Sequence, residues 1–230
     1  MEFLRHENKY LCTNEMIAIE RGRISHITKI DSFADTNGRY SVSSLYFDSS
    51  TNISAALNDA GADKRKKYRI RYYDNLDVIK LEKKEKQNGL CNKTSVIISL
   101  NTAKKLASGD VASLLNTTDV PLVKELCVKI LTYGFKPKVI VTYEREAYLH
   151  QTGNVRVTFD TNICCSHQTD RFFDGDYLKI PVLSPNTHLL EVKYDNILPS
   201  FIRQTLALRN LNQTTFSKYY LSRAAAKKLL

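Results

Sequence analysis

The chain has 230 residues, 43% of them hydrophobic, enough to bury a sizeable core within one large domain. Lys and Arg total 34 against 24 Asp and Glu, a formal charge of +10, so a polyanionic partner is expected: nucleic acid, an anionic membrane surface or a phosphorylated small molecule. The five cysteines (Cys12, Cys91, Cys127, Cys164, Cys165) lack metal or disulfide spacing, the N-terminus lacks the apolar stretch of a signal peptide, and no apolar run reaches transmembrane length; reduced thiols in a cytoplasmic protein are expected.

In chain order, a strand is predicted over 2–10, a helix over 13–28, a strand over 40–48 and a helix over 50–58. Strands 66–74 and 76–87 follow, joined by the hairpin signal Tyr73-Asp74-Asn75-Leu76, and then strand 94–99. Helices are predicted over 101–108 and 119–133. The second has Asp119 as N-cap, Pro121 in its first turn, Gly134 as its stop, and Leu122, Val123, Leu126 and Ile130 on one face. Strands 138–149 and 154–163 are linked by Gln151-Thr152-Gly153-Asn154. A weak strand near 176–183, a strand over 187–194 and helices over 199–209 and 217–229 complete the chain. No linker marks a boundary, so a single domain over 1–230 is expected. The pattern is α+β, and eight or so antiparallel strands permit a closed barrel.

The informative feature is what the strands carry on alternate positions, which share a face. The first strand groups Arg5, Glu7 and Lys9. Strand 66–74 groups Arg69, Arg71 and Tyr73, and strand 76–87 groups Lys80, Glu82, Lys84 and Lys86. Tyr143 and Arg145 share a face on 138–149, although Val139 and Val141 have the same phase. Arg156, Thr158 and Asp160 align on 154–163, and Glu191 and Lys193 on 187–194. A half-buried sheet always turns a polar face to water. Here, however, Arg and Lys recur in strand after strand, although like charges facing each other across strands are destabilising. Converging cations with single carboxylates suit a polyphosphate and a divalent metal.

The succession R-H-E-N-K-Y (5–10), S-L-Y-F-D (44–48), Y-R-I-R-Y-Y (68–73), K-L-E-K-K-E-K (80–86), Y-E-R (143–145), R-V-T-F-D-T-N (156–162), L-E-V-K-Y (190–194) and F-S-K-Y (216–219) resembles the VTC domain. This is the polyphosphate polymerase branch of the triphosphate tunnel metalloenzymes, related to CYTH proteins. The resemblance implies an eight-stranded antiparallel tunnel. It also implies transfer of the γ-phosphate of a nucleoside triphosphate, with ATP the expected donor, onto polyphosphate or pyrophosphate, with Mn²⁺ or Mg²⁺ required. It assigns Lys9, Arg69, Arg71, Lys84, Arg145 and Arg156 to the catalytic set, and Glu191 to the metal. Glu7, Glu82, Lys93, Tyr143, Lys193, Ser217 and Lys218 fall to substrate or product binding. CYTH hydrolases open with E-x-E-x-K, and here Arg5 stands at the first Glu; Thr215 replaces a Lys of the eukaryotic members.

No P-loop, Rossmann or zincin motif occurs, and the five His are scattered. Two alternatives stay open: a tripolyphosphatase or nucleoside triphosphatase on the same scaffold, and a non-catalytic module binding polyphosphate or nucleic acid. A specific nucleic-acid partner is not expected; membrane-associated partner proteins would be encoded elsewhere. Helix 50–58 is either a packed connector or a helix whose N-terminal amides approach a tunnel mouth. The run Lys64-Arg65-Lys66-Lys67 is a solvated face that could also steer polyanions toward Arg69 and Arg71.

Overall fold

The computed structural model describes residues 5–227 except 89. Parts of the first predicted strand (2–4) and of the last predicted helix (228–229) lie outside these residues. Ten strands are present: β1 (His6–Cys12), β2 (Lys29–Ile30), β3 (Tyr40–Asp48), β4 (Arg65–Tyr73), β5 (Asn75–Gln87), β6 (Leu90–Ile98), β7 (Lys136–His150), β8 (Val155–Ser166), β9 (Ile180–Pro181) and β10 (His188–Tyr194). Eight of them hydrogen-bond in the order β1-β10-β8-β7-β3-β4-β5-β6, with β2 on β7 and β9 on β8. The α-helices are α1 (Asn14–Ser25), α2 (Ile53–Asp59), α3 (Leu100–Ser108), α4 (Ala112–Thr117), α5 (Pro121–Tyr133), α6 (Ser200–Thr205) and α7 (Lys218–Lys227). The α+β class with eight antiparallel strands is as expected.

The chain forms two compact units. One comprises the residues up to Ser41, Tyr143–Ile163 and Leu183–Ser217; the other comprises Val42–Thr142, Cys164–Val182 and the chain from Lys218 onward. In the second unit, β4 and β5 are joined by a tight turn, with Asp74 at φ +53° and Tyr73 opposite Asn75. Their apolar face (Tyr68, Ile70, Tyr72, Ile79, Leu81) packs under α3, α4 and α5 through Leu106, Leu114, Leu122 and Leu126. Full burial of each such aliphatic side chain contributes about 1.5–3 kcal/mol. Strand parity then leaves the charged residues of β4 and β5 on the other face. In the first unit, Tyr10, Val155, Val157, Phe159, Leu190 and Val192 form the matching apolar face, covered by Ile17 and Ile24 of α1 and Ile202 of α6.

Local chemistry explains several helix ends. Thr13 caps α1 by accepting from Met16 N at 3.4 Å, and Ser99 caps α3 by accepting from Thr102 N at 3.1 Å. Gly134 at φ +60° stops α5 as expected. Asp119, however, is not the N-cap of α5. Pro121 occupies the first helical position, so extended Val120 becomes the cap residue, and Asp119 only faces Lys124 at 3.7 Å. The predicted strand at 176–183 shrinks to the two residues of β9, one of them a proline that cannot donate to a ladder. The predicted helix 199–209 ends after Thr205, and Ala207 sits at φ +43° before a single 3₁₀ turn. Helix α4 was not anticipated; it is six residues long and has no side-chain cap. All five cysteines are free. Among the described residues, no helix is long and apolar enough to cross a membrane.

Candidate functional site

In the second unit, register sets cations directly opposite one another. Arg71 faces Lys80, Arg69 faces Glu82, and Lys67 faces Lys84, which in turn faces Lys93 of β6. Glu82, 1% exposed, is the carboxylate of this basic face. It accepts from Arg69 Nε at 2.7 Å and lies 2.7 Å from Arg69 Nη2, 3.1 Å from Lys93 Nζ and 3.8 Å from Arg71 Nη1. Burial alone would raise its carboxyl, but Arg69, Arg71 and Lys93 outweigh burial and hold it well below the usual carboxylate range. Ser44 and Tyr46 of β3 complete the face. Arg71 Nε donates to Ser44 Oγ at 2.9 Å, and Arg69 Nη1 donates to Tyr46 OH at 2.7 Å.

Two phenols, buried Tyr46 and half-buried Tyr73, register the positive field. Burial pushes Tyr46 up, yet Arg69, Arg71 and Lys218 together bring it below its ordinary value. Tyr73 is likewise lowered, by Arg71 and Arg69 against burial and Glu82. Lys218 opens α7. That helix is tied down by Tyr219, whose hydroxyl donates to Asp48 Oδ2 at 2.5 Å. Asp48 also accepts from the amides of Ser49, Ser54 and Ala55, so the first amides of α2 bond to a buried carboxylate. That contact favours the connector reading of the 50–58 segment. In the run 64–67, Lys66 pairs with Glu85 at 2.8 Å, and Lys67 donates to Asn58 Oδ1 at 2.7 Å.

The first unit mixes the two signs more evenly. Glu7 faces Lys193, which faces Arg156; Lys9 faces Glu191, which faces Thr158. Lys9 Nζ lies 3.8 Å from Glu7 and 3.6 Å from Glu191, and donates to Phe216 O at 2.9 Å. Lys193 Nζ lies 3.6 Å from both Glu7 and Glu191. Arg145 is buried, with Nε and Nη2 donating to the two oxygens of fully buried Asp160 at 2.6 and 2.8 Å. Its Nη2 is 3.7 Å from Glu191 and its guanidinium lies 5.1 Å from the Tyr143 ring. Burial would lower this guanidinium, but Asp160, Tyr143 and Glu191 raise it well above its ordinary value. Ser217 is half-buried immediately before α7.

Sequence parity therefore gathers Arg69, Arg71, Glu82, Lys84 and Lys93 on one face. It gathers Glu7, Lys9, Tyr143, Arg145, Arg156, Glu191 and Lys193 in the other unit. It missed Ser44, Tyr46, Asp31 and Tyr40. Ser44 and Tyr46 share the even parity of β3 and were legible in principle. Asp31 and Tyr40 reach Arg156 from 125 and 116 positions away, and nothing local marks them.

The family described as the VTC domain matches residues 4–227. The chain belongs to the VTC domain family. No curated protein matches it significantly. Among solved structures, this VTC domain is similar to a candidate adenylyl cyclase from Hippeastrum, described as having a dominant triphosphatase activity. The identity is 13% over 97% of this chain and 96% of that one, with TM-score 0.60. Candidate adenylate cyclases from Vibrio parahaemolyticus (12% identity, 96% and 98% covered, TM-score 0.54) and Bacillus halodurans (12%, 94% and 95%, 0.51) are also similar. At these identities the likeness concerns the fold alone.

The divalent metal expected from the sequence can be tested against the VTC domain's donors. Among the described residues, no group of three or more His, Cys, Asp or Glu could hold a metal. Glu7 and Glu191 nevertheless supply hard oxygens, with Lys9 and Lys193 3.6–3.8 Å away. One or two carboxylates with phosphate oxygens and water is the usual set for Mg²⁺. Glu191 and Glu7 are the donors such a set would draw on.

Proposed function

We propose that this VTC domain is a polyphosphate polymerase, moving the γ-phosphate of a nucleoside triphosphate, ATP foremost, onto polyphosphate or pyrophosphate. The observation carrying the proposal is the row Lys67–Lys84–Lys93, with Arg71 opposite Lys80 on the far side of the Arg69–Glu82 pair: like charges held in register across neighbouring strands. Such pairs destabilise a sheet by themselves, and a bound chain of phosphates offsets that repulsion. Family membership supports the same chemistry.

Arg69, Arg71, Lys84 and Lys93 of the second unit would neutralise phosphate oxygens, and the first unit would carry its own phosphate-binding cations, Lys9, Arg145, Arg156 and Lys193. Glu82 and Asp160 hold their arginines in fixed orientation, so little reorganisation is needed as charge develops. Glu191, with Glu7, would hold Mn²⁺ or Mg²⁺, and the metal would supply further neutralisation of the triphosphate's charge. An acceptor phosphate is already ionised near neutral pH, so no general base is required. Lys193 and Ser217 of the first unit would hold the growing product, and Lys218 would bind phosphate in the second.

Hydrolysis is the second reading, favoured by the triphosphatase activity described for the Hippeastrum protein. Against it, Arg5 forms an ion pair with Asp195 at 3.0 Å where the hydrolase motif has a carboxylate. Incubation with ATP and Mn²⁺ followed by a polyphosphate-stained gel separates the two. Polymer supports the proposal; abundant free phosphate without polymer replaces it with hydrolysis.

A further inference from the structure

Asp31 opens the turn between β2 and β3 and is 4% exposed. Its amide donates to Ala147 O at 2.9 Å, its carbonyl accepts from Ala34 N at 3.0 Å, and Oδ1 accepts from Phe33 N at 3.3 Å. These bonds fix the turn and leave Oδ2 for Arg156 Nη2, at 2.6 Å. The same nitrogen donates to Tyr40 OH at 2.8 Å, so both of its hydrogens are used. Arg156 Nε is buried and has no partner.

This anchoring differs from that of the other arginines. Arg69 and Arg145 each give Nε and Nη2 to one carboxylate. Arg156 is held at the Nη2 corner alone, so its orientation depends on Asp31 and Tyr40. The pair is also graded in depth, the Asp31 side chain 4% exposed and that of Arg156 31%. The carboxylate lies behind and the cation in front. Through Lys193, Arg156 joins the row that continues to Glu7.

We propose that Asp31, seconded by Tyr40, is a positioning residue that sets the Arg156 guanidinium for phosphate binding. The inference rests on the triphosphate reading above. An aspartate that merely closed its own turn would act independently of Arg156; a positioning aspartate acts only through it.

The test is a double-mutant cycle read by calorimetric titration of inorganic tripolyphosphate without metal, with thermal melts alongside. Asp31→Asn is expected to weaken binding about tenfold, the size of one charge-assisted hydrogen bond. Asp31→Glu should recover most of it, and Tyr40→Phe should cost about threefold. On an Arg156→Ala background, neither Asp31→Asn nor Tyr40→Phe should weaken binding further. Unchanged affinity in Asp31→Asn, or losses that add to that of Arg156→Ala, overturns the proposal. Should Asp31→Asn fail to fold, the Tyr40→Phe and Arg156→Ala cycle decides by the same criterion. If the wild-type chain does not bind tripolyphosphate at all, the triphosphate reading falls and this inference with it. Wild-type binding with an indifferent Asp31 overturns only the inference.

Discussion

Replacing Glu82 by Gln isolates what the buried carboxylate contributes to the basic face. The substitution keeps volume and one acceptor oxygen but removes the charge facing Arg69 at 2.7 Å, Lys93 at 3.1 Å and Arg71 at 3.8 Å. The Arg69 and Arg71 side chains are 15% and 6% exposed, so both guanidinia lose their counter-charge with little water to replace it. Breaking a buried pair in this way costs about 3–5 kcal/mol. The Lys93 side chain, 52% exposed, adds less than about 1 kcal/mol. A loss of about 3 kcal/mol is expected at pH 7, near the low end because the amide retains one acceptor. Urea unfolding followed by far-ultraviolet circular dichroism measures it, the chain having no Trp.

The pH dependence adds a second check. Folded Glu82 titrates far below the unfolded carboxyl, since Arg69, Arg71 and Lys93 outweigh its burial. Its contribution is therefore complete above the unfolded value of about 4.3 and is lost as pH falls toward the folded one. The gap between wild type and variant should be equal at pH 7 and 5.5, and should shrink by about 1.4 kcal/mol per pH unit below about 4.3. A variant within about 0.5 kcal/mol of wild type, the scatter of a neutral surface change, would refute the reasoning. So would a gap that persists unchanged at pH 3.

Three further outcomes are expected. Tripolyphosphate at a hundred times its dissociation constant should stabilise the wild type by about 2.7 kcal/mol in thermal melts, and the shift should decline as salt rises; a salt-insensitive shift would contradict the basic face as the binding surface. Thr158→Val should be neutral or raise stability by up to about 1 kcal/mol in urea unfolding, because Thr158 Oγ1 is buried without a partner; a large loss would mean the hydroxyl bonds within the fold. Glu191→Gln should weaken Mn²⁺ uptake at least about tenfold, as losing a hard carboxylate ligand implies, when titrated by electron paramagnetic resonance with tripolyphosphate present; unaltered uptake would remove Glu191 from the metal.

The charged faces were legible because a strand has a strict period of two and its apolar half is committed to the core. Once Ile70 and Leu81 pack under the helices, Arg69, Arg71, Lys80 and Glu82 have only the other side. The same logic found Lys9 with Glu7 and Lys193 with Glu191. It was weaker on β7, where Val139–Tyr143 are buried in both phases, so alternation carries no sign. Asp31 and Tyr40 were illegible for a different reason. Their function lies in a contact across 125 and 116 residues that no local propensity encodes. The misplaced cap at Asp119 shows local rules competing: proline geometry at the first helical position overrode the preference for an acidic cap.

The way Arg69 and Arg145 are fixed limits which replacements the chain can tolerate. A guanidinium is a flat plate with more than one usable edge, and in each of these residues the Nε–Nη2 edge is mortised into a carboxylate. A lysine has a single head and could serve either the wall or a guest. Charge-conserving exchange at these two positions would thus preserve the electrostatic sum while dismantling the joinery.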